Sequence, residues 1–541
     1  MKNPNKLAAF ALACLCCAPA FSQSAGSRNA FFGNVERLNR TMLLINNCYV
    51  DTVNTKKLVD NAISSFVTTL DPHSAYIPAE QVGEANEALD GSFEGIGIEF
   101  AMISDTLTIQ NVISCGPSET VGLNIGDKII AIDGTVIAGV SITNDDIRSK
   151  LRGPKGTKVE VSVKRQGEPK PLEFTIVRDK IPLTSVDAAY LTDSNVFYFK
   201  LGRFAATSMD EFKKAYAEIC VKGDPDGIIL DLRGNGGGFM NVALELANTF
   251  LEKDQMILYT EGLHMRTQAE FADGSGFYRN KPLVILVDEN SASASEIVTG
   301  AVQDWDRGIV IGRRTFGKGL VQRMFPLSDG SQLRLTIARY HTPCGRVIQT
   351  PYKEGARDEY YHKMIDRYKS GEFFSSDKLK FPDSLKFETR VQHRTVYGGG
   401  GITPDIFIPA DTTAVTDYYS AIIRKGIIQE FVNGWCDAHR SELKRKCPDF
   451  KAFCKYYDHS IAPRIMDELA EYAAGKGLEC NDAQMEAAMP FLGPRTKGLV
   501  ARCVFSITEY YRVVNSECDP EFKKAMEVLS DWPAVFPSLA R

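Results

Sequence analysis

A serine and a lysine 25 positions apart are the residues of this sequence best suited to covalent chemistry. Ser293 lies in the small-residue run Ser291–Glu296, and Lys318 lies between two glycines in Thr315–Gly319. A serine hydroxyl attacks a carbonyl only when a neighbouring group takes its proton, and a neutral lysine amine can do so. Burial disfavours the charged ammonium and so lowers the pKa of a lysine. The pair therefore predicts a serine hydrolase that needs no histidine.

The elements around this pair should bring the two residues together. A buried strand, Pro282–Val287, leads into the serine run and then into a helix. The next predicted strand, Ile309–Gly312, precedes Lys318. Consecutive parallel strands end at the same edge of a sheet, so we expect Ser293 and Lys318 to meet there. Unpaired N–H groups at the helix N-terminus would stabilise an oxyanion. The alternatives are serines that only cap the helix and a solvated lysine on a turn.

A glycine-rich run, Asp231–Gly238, ends the first predicted buried strand of this region and opens a helix. Phe239 stands where a dinucleotide-binding loop requires its third glycine, and the Gly-Lys-Ser/Thr ending of a nucleotide P-loop is absent. The backbone N–H groups of this run could still bind an anion, here a transient oxyanion. Asp304 lies about 16 Å from Ser293 along a continuous helix, so we interpret it as structural.

Chain length, net charge and the N-terminal residues restrict the class of protein. A chain of 541 residues predicts several domains, and a formal net charge of −5 gives no basic surface for nucleic acid. Two lysines, an apolar run over 7–21 and an Ala-Pro-Ala cleavage pattern predict a signal peptide over 1–24. We therefore expect an exported protein, periplasmic or associated with the cell envelope. Three early cysteines (Cys14, Cys16 and Cys17) leave a lipoprotein anchor as an alternative, which the residues before them fit poorly.

Hydrophobic periodicity divides the rest of the chain. Along the sequence, a helical pattern is followed by short β runs, then by alternating strands and helices, and last by a second helical pattern. The predicted segments are an N-terminal helical region (25–90), a mainly β module (91–180), an α/β core (181–410) and a C-terminal helical domain (411–541). Within the β module, Lys158–Val163 alternates apolar and polar residues, which predicts one buried face.

The last segment carries six of the cysteines, whose pairing cannot be read from sequence. Four residues there leave a zinc site open as an alternative: Cys436, His439, Cys447 and Cys454. Their spacing does not form two close ligand couples, so helical packing, with or without a disulfide, is the favoured interpretation.

Several motifs, taken together and in order, resemble the C-terminal-processing (tail-specific) serine peptidases over about Ala30 to Pro409. They are Leu70–Ser74, Phe93–Gly97, Leu151–Thr157, Asp231–Gly238, Ser291–Glu296 with Gln303 and Asp304, and Thr315–Gly319 with Gln322. The resemblance implies an α/β protease core of crotonase/ClpP-like βαβ units. It also implies an inserted, mainly β PDZ domain at 91–180 between helical N- and C-terminal regions. No cofactor and no metal are implied.

The resemblance also implies roles for individual residues. Ser293 would be the nucleophile, Lys318 the general base and Gln322 the residue that supports the lysine. On a straight strand Lys318 and Gln322 would lie about 13 Å apart, so their contact requires the chain to turn near Gly319.

Two further sets of residues are implied by the same resemblance. The oxyanion would be bound by the backbone N–H groups of Ala294 and Gly238, with the neighbouring Gly237 left open as an alternative. The PDZ domain would hold a peptide C-terminus on backbone N–H groups while the peptide adds a strand to the sheet. The residues of that carboxylate-binding loop would be Gly95, Ile96, Gly97 and Ile98.

These implications predict an exported serine endopeptidase that acts on proteins or peptides with accessible C-terminal tails, with a PDZ domain that can gate activity. The C-terminal helical domain would serve self-association or adaptor binding. Two rival functions remain: a non-catalytic PDZ-type receptor on a degenerate hydrolase core, and a crotonase-like enzyme. The joint presence of Ser293, Lys318 and Gln322 disfavours the first. The peptide-binding module disfavours the second.

Overall fold

The computed structural model describes residues 25–103, 105–113, 116–165, 167–221, 223–411 and 416–535. The chain divides after Val67 into two compact units. The predicted signal peptide lies outside the described residues. None of the helices in the described ranges is long and apolar enough to span a membrane.

The helices and strands are numbered in chain order. The helices are α1 (Ala25–Cys48), α2 (Thr55–Leu70), α3 (Ala79–Asp90), α4 (Pro117–Thr120), α5 (Asn144–Leu151), α6 (Ser208–Cys220), α7 (Met240–Phe250), α8 (Ala294–Asp304), α9 (Arg357–Lys369), α10 (Asp417–Arg424), α11 (Ile427–Lys446), α12 (Phe450–Tyr456), α13 (Ala462–Gly475), α14 (Asp482–Val504), α15 (Ile507–Cys518), α16 (Pro520–Ser530) and α17 (Trp532–Val535). The strands are β1 (Ala75–Ile77), β2 (Ser92–Gly95), β3 (Ile98–Ile103), β4 (Thr106–Val112), β5 (Lys128–Ile132), β6 (Thr135–Val136), β7 (Lys158–Lys164), β8 (Leu172–Val177), β9 (Asp179–Pro182), β10 (Val186–Leu191), β11 (Val196–Leu201), β12 (Gly227–Asp231), β13 (Met256–Gly262), β14 (Met265–Phe271), β15 (Leu283–Val287), β16 (Ile309–Gly312), β17 (Leu320–Pro326), β18 (Gln332–His341), β19 (Lys386–Glu388), β20 (Thr395–Tyr397) and β21 (Ile406–Phe407).

The N-terminal unit is helical, as its periodicity predicts, and consists of α1 and most of α2. Leu70 ends α2, and Pro72 follows two residues later. A proline lacks the N–H that continuation of the helix would need, which explains why the helix ends before this motif.

A six-stranded sheet forms the centre of the second unit, in the order β10-β11-β12-β15-β16-β21. All neighbours are parallel except β10, which runs antiparallel to β11. Every residue of β12, β15 and β16 is buried, which explains their continuous apolar sequences. The predicted parallel α/β arrangement is confirmed, and the ends of β12, β15 and β16 lie side by side.

A second, antiparallel sheet lies next to the candidate site. Its order is β1-β18-β13-β14, with β17 paired to β18. The register joins Ala75 of β1 to Arg334 of β18, and Gln322 of β17 to Thr336 of β18. The short strand β1, which the helical pattern before it did not predict, thus holds the Leu70–Ser74 motif against β17 and β18.

The mainly β module has a core of its own, built from one sheet and α5. The sheet order is β3-β4-β5-β7-β8, so β3 is an edge strand. In β7, Val159, Val161 and Val163 are buried while residues 158, 160 and 164 are exposed. The predicted one-sided burial is confirmed. The antiparallel pair of β2 and β9 carries the chain into and out of this module.

The C-terminal segment separates into two parts. Helices α10 to α14 surround a hydrophobic core of their own, whereas α16 and Trp532 pack onto the central sheet. Phe522, Ala525 and Val528 of α16 cover the sheet face opposite α7 and α8. The four residues considered for zinc are not brought together, since no group of three or more potential ligands occurs in the described ranges.

Candidate active site

Ser293 occupies a strained turn between β15 and α8. Its backbone has φ 57° and ψ −111°, a region that residues with a side chain rarely adopt. The flanking serines fix the turn, because Ser291 Oγ donates to Leu232 O at 2.8 Å and Ser295 Oγ donates to Asn235 O at 2.9 Å. Ser293 is the N-cap residue of α8, as the capping alternative expected. That role coexists with the strained, half-buried placement of its side chain.

Glu296 connects the serine turn to the lysine loop. Its Oε2 accepts hydrogen bonds from the N–H groups of Ser293 and Lys318, each at 2.8 Å. Its Oε1 accepts from Thr315 Oγ1 at 2.6 Å and from Gly317 N at 2.7 Å. Both backbone nitrogens bind the same carboxylate oxygen at 2.8 Å, so the distance between Ser293 N and Lys318 N is at most twice this value. Burial raises the pKa of Glu296, and the hydrogen bonds from these donors oppose that rise.

Tyr340 makes a second connection between the same two segments. Its buried hydroxyl lies 3.1 Å from Ser293 O and 2.8 Å from Lys318 O. Sequence reasoning assigned no role to Tyr340 or Glu296. The Ser-x-x-Glu spacing of a capping box was the available signal for Glu296. No local signal pointed to Tyr340, which lies on a different strand.

Lys318 contacts Gln322, as the resemblance implied. Lys318 Nζ donates to Gln322 Oε1 at 2.9 Å, and Gln322 Nε2 donates to His73 O at 2.7 Å. The segment between them is not a straight strand, because the pairing of β17 with β18 shifts register between Val321 and Gln322. Within the described residues no hydrogen bond joins Lys318 Nζ to Ser293 Oγ.

The surroundings of Lys318 favour its neutral form. Burial, followed by the positive charge of Arg334, lowers the pKa of Lys318 below its ordinary value. The carboxylates of Glu296 and Asp71 act in the opposite direction. The amide of Gln322 is oriented by His73 O, which can only accept, so its own carbonyl faces the lysine. A neutral Lys318 amine would then give one N–H to Gln322 and keep its lone pair free.

The Leu70–Ser74 motif supplies this support through a buried turn. Asp71 Oδ1 accepts from the N–H groups of His73 and Ser74, each at 2.8 Å, and Oδ2 accepts from Ser74 Oγ at 2.5 Å. Thr336 of β18 donates to Asp71 Oδ1 at 3.2 Å. The turn fixes the His73 carbonyl that holds Gln322. Sequence reasoning assigned this motif no role in supporting the lysine.

The His73 ring is a neutral neighbour of the site. Burial, followed by the charge of Lys318, lowers the pKa of His73 to about 4. Its Nε2 lies 3.1 Å from Tyr360 Oη. The ring is therefore uncharged at neutral pH and adds no second positive charge beside Lys318.

The glycine-rich run lies directly against Ser293. A Cβ on Gly237, whose φ is 101°, would lie 2.8 Å from Ser293 Cβ and 3.0 Å from Ala294 N. The N–H of Gly237 donates to Asn235 Oδ1 at 2.8 Å. By contrast, the N–H groups of Gly238 and Ala294 have no hydrogen-bond partner in the described part of the chain. Of the two glycines left open by sequence reasoning, Gly238 has the available donor.

The loop of the mainly β module has the features of an anion-binding turn. Ile96 O accepts from Ser118 N at 3.1 Å and from Ser118 Oγ at 2.6 Å, which fixes the loop. Gly97 has φ 78°. The N–H groups of Ile96 and Gly97 donate to no group among the residues described. Ile98 begins the edge strand β3, so a peptide that pairs with β3 would end at these N–H groups.

The structure thus brings Ser293, Lys318, Gln322 and the glycine-rich run together. The predicted carboxylate-binding loop and Asp304 lie elsewhere. The four residues Gly95, Ile96, Gly97 and Ile98 lie in the separate β module. Asp304 lies at the far end of α8, where its carboxylate forms a buried ion pair with Arg346 at 2.5 Å. The structural interpretation of Asp304 is confirmed.

Three sequence families match parts of the chain. Residues 195–355 match peptidase family S41, residues 95–176 match the PDZ domain, and residues 418–506 match a family of unknown function. The PDZ match covers the sheet that contains β3 and β7.

Full-length relatives match over longer spans. The carboxy-terminal-processing protease of Bartonella bacilliformis is 36% identical over 327 residues, which are 59% of this chain and 72% of that protein. The carboxy-terminal processing protease CtpB of Bacillus subtilis is 33% identical over 387 residues, 70% of this chain and 77% of that protein. A solved photosystem II D1 C-terminal processing protease is 24% identical, with a TM-score of 0.35, over 69% of this chain and 92% of that one.

Proposed function

The chain belongs to the carboxy-terminal-processing proteases of peptidase family S41 and carries their PDZ domain, and from this premise we propose a Ser–Lys mechanism for it. Its substrates are proteins or peptides that present a C-terminal tail. Ser293 is the nucleophile, Lys318 the general base and Gln322 the residue that positions the lysine. The observation that carries this proposal is the Glu296 carboxylate, which binds the backbone of Ser293 and of Lys318 through one oxygen.

In the proposed reaction Lys318 Nζ takes the proton of Ser293 Oγ as that oxygen attacks the scissile carbonyl carbon. The oxyanion forms beside the N–H groups of Gly238 and Ala294. Lys318 then protonates the leaving amine, and an acyl-enzyme remains on Ser293. A water that Lys318 deprotonates releases the acyl group. For the first step the Lys318 side chain must approach Ser293 Oγ, a contact that the resting arrangement lacks.

The PDZ domain captures the tail in this proposal. The substrate C-terminus binds the N–H groups of Gly95, Ile96, Gly97 and Ile98, and the preceding residues pair with β3. The β2–β9 ribbon is the connection about which the PDZ domain moves to gate the site. From the signal-like N-terminus we also propose that the enzyme acts outside the cytoplasm, in the periplasm or cell envelope.

The test compares purified wild type with Ser293→Ala and Lys318→Ala on a peptide with a free C-terminus, and reads the new C-termini by mass spectrometry. We expect each variant to lose activity by at least roughly 10³-fold. The control variants are Ser370→Ala and Lys353→Ala, which change exposed side chains and should cleave at the wild-type rate. Equal cleavage by wild type and Ser293→Ala would refute the assigned chemistry.

A second arm tests tail recognition separately. The same peptide with an amidated C-terminus lacks the carboxylate that the PDZ loop would bind. We expect its KM to rise while kcat changes less. Equal kinetics for the two peptides would leave the hydrolase in place and remove the proposed role of the PDZ loop.

A further inference from the structure

Two cysteines face each other between α11 and α14. They are Cys436 of α11 and Cys503 of α14, and both line the same cleft. Cys503 Sγ lies 3.9 Å from the amide oxygen of Asn433, which precedes Cys436 by one turn of α11. Cys503 therefore lies beside the turn of α11 that leads to Cys436.

Both thiols line a cleft that a small oxidant can enter. The cleft has a volume of ≈ 980 Å³ and lies between the two helices and the PDZ domain. Cys436 is 6% exposed, and Cys503 is more accessible. Interaction with the Cys436 thiol is the main cause that lowers the pKa of Cys503, and the charges of Arg502 and Arg440 add to it. The same interaction, followed by burial, raises the pKa of Cys436.

The next residues in sequence attach these helices to the PDZ domain. Asp437, which follows Cys436, lies 3.9 Å from Lys128 Nζ at the start of β5. Arg502, which precedes Cys503, lies 3.6 Å from Glu99 on β3. A bond between the two sulfurs would link the two helices next to both attachment points of the PDZ domain.

We propose that Cys436 and Cys503 form a redox-responsive disulfide that fixes the helical platform on which the PDZ domain rests. The Cys503 thiolate attacks an external disulfide such as oxidised glutathione, so an S–S bond forms at Cys503 and one glutathione thiolate leaves. Cys436 then loses its proton and attacks the mixed disulfide at Cys503, and the second glutathione leaves as thiol. The protein gives up two electrons, which reduce the external disulfide. An exported enzyme would meet such oxidants outside the cytoplasm.

The first experiment uses the full-length Ser293→Ala protein, so that self-cleavage cannot interfere. The protein is incubated with oxidised glutathione, its remaining thiols are alkylated, and its peptides are mapped without reduction. We expect a peptide pair joined through Cys436 and Cys503, which disappears on reduction. Cys436→Ser and Cys503→Ser should each abolish that pair, whereas Cys447→Ser and Cys480→Ser should leave it. Complete alkylation of both thiols, or glutathione retained on Cys503, would overturn the proposal.

The second experiment measures the effect on the PDZ domain. Hydrogen exchange is compared between the oxidised and reduced forms of the same protein. Oxidation should slow exchange in α11, α14 and β3, and the Cys436→Ser variant should show no such difference. Equal exchange in the two forms of the cross-linked protein would refute the platform role. Neither experiment depends on cleavage, so failure of the proposed Ser–Lys chemistry would leave both results interpretable.

Discussion

At the scale of residues, the site depends on the buried carboxylate of Glu296, the half-buried amide of Gln322 and the half-buried amine of Lys318. Glu296 holds the backbone of Ser293 and Lys318 together, and Gln322 holds the lysine side chain. Because Lys318 is removed from water and lies near Arg334, its charged form is disfavoured. The lowered pKa of the proposed base is therefore a consequence of its surroundings.

The pH dependence of cleavage follows from the lowered pKa of Lys318. A base works when deprotonated, so kcat/KM should be low below that pKa and rise as the pH passes through it. The midpoint should lie below the ordinary lysine value of 10.5. Arg334→Gln removes a charge that disfavours the ammonium, so it should move the rising limb to higher pH. The measurement is the pH–rate profile of peptide cleavage.

The matched control is Arg323→Gln, which changes an exposed arginine on β17. It should leave the rising limb of the pH–rate profile at the wild-type pH. Activity that falls between acid and neutral pH would contradict Lys318 as the base. A limb that moves to lower pH in Arg334→Gln would contradict the electrostatic argument.

At the scale of elements, three segments far apart in sequence meet at the site. The turn after α2 is held by Asp71 and presents His73 O to Gln322, the turn after β15 carries Ser293, and the loop after β16 carries Lys318. The antiparallel pairing of β1 with β18 fixes the first of these segments against the third. The Leu70–Ser74 motif is thus a support for the proposed base.

Asp71→Ala tests this support. The change removes four hydrogen bonds to a buried carboxylate, so we expect a loss of about 2–4 kcal/mol in the free energy of unfolding. Because Gln322 loses its fixed partner, kcat should fall by roughly 10²-fold while KM changes little. The measurements are denaturant unfolding and steady-state kinetics under conditions where the variant is folded.

Asp329→Ala provides the comparison. Asp329 likewise binds a nearby serine, with Ser331 N at 3.0 Å and Ser331 Oγ at 2.6 Å, but in an exposed turn between β17 and β18. It should lose less stability and keep its kcat. A folded Asp71→Ala protein with wild-type kcat would remove the positioning role of the motif.

At the scale of the whole molecule, the C-terminal segment completes the protease core. Helix α16 buries Phe522 and Val528 on one face of the central sheet, opposite α7 and α8. It also brings Asp519 and Glu521 to Arg233, which immediately precedes the glycines beside Ser293. The cysteine-bearing helices lie between this core and the PDZ domain. The described part of the C-terminal segment, residues 416–535, therefore contacts both the protease core and the PDZ domain.

A chain cut after Asp411 tests this arrangement. Removal of α16 would expose the apolar sheet face that it covers, and exposed apolar surface of that kind leads to aggregation. We expect the cut chain to be insoluble or to lack a cooperative thermal transition, and to cleave no peptide. A chain that ends at Val535 keeps α16 and should behave as wild type. The measurements are solubility, calorimetry and peptide cleavage; a soluble, cooperatively folding cut chain with wild-type activity would contradict the prediction.

Local patterns in the sequence were sufficient for much of this description. Buried parallel strands appear as continuous apolar runs, as in β12 and β15, and one-sided strands alternate, as in β7, because burial acts directly on neighbouring side chains. The residues that surround Ser293 were predictable for the same reason, since a strand, a small-residue turn and a helix follow one another in the chain. The interpretation of Asp304 needed only the rise of a helix.

Only the tertiary structure decided which residues distant in sequence contact these elements. Tyr340, Thr336 and His73 reach the site from other strands and turns, and no local spacing encodes such contacts. The covering of the sheet by α16 and the shared cleft of Cys436 and Cys503 are likewise decided by packing. The physical reason is that periodicity shows which face of an element is buried, whereas the partner of that face is set by the free energy of the whole fold.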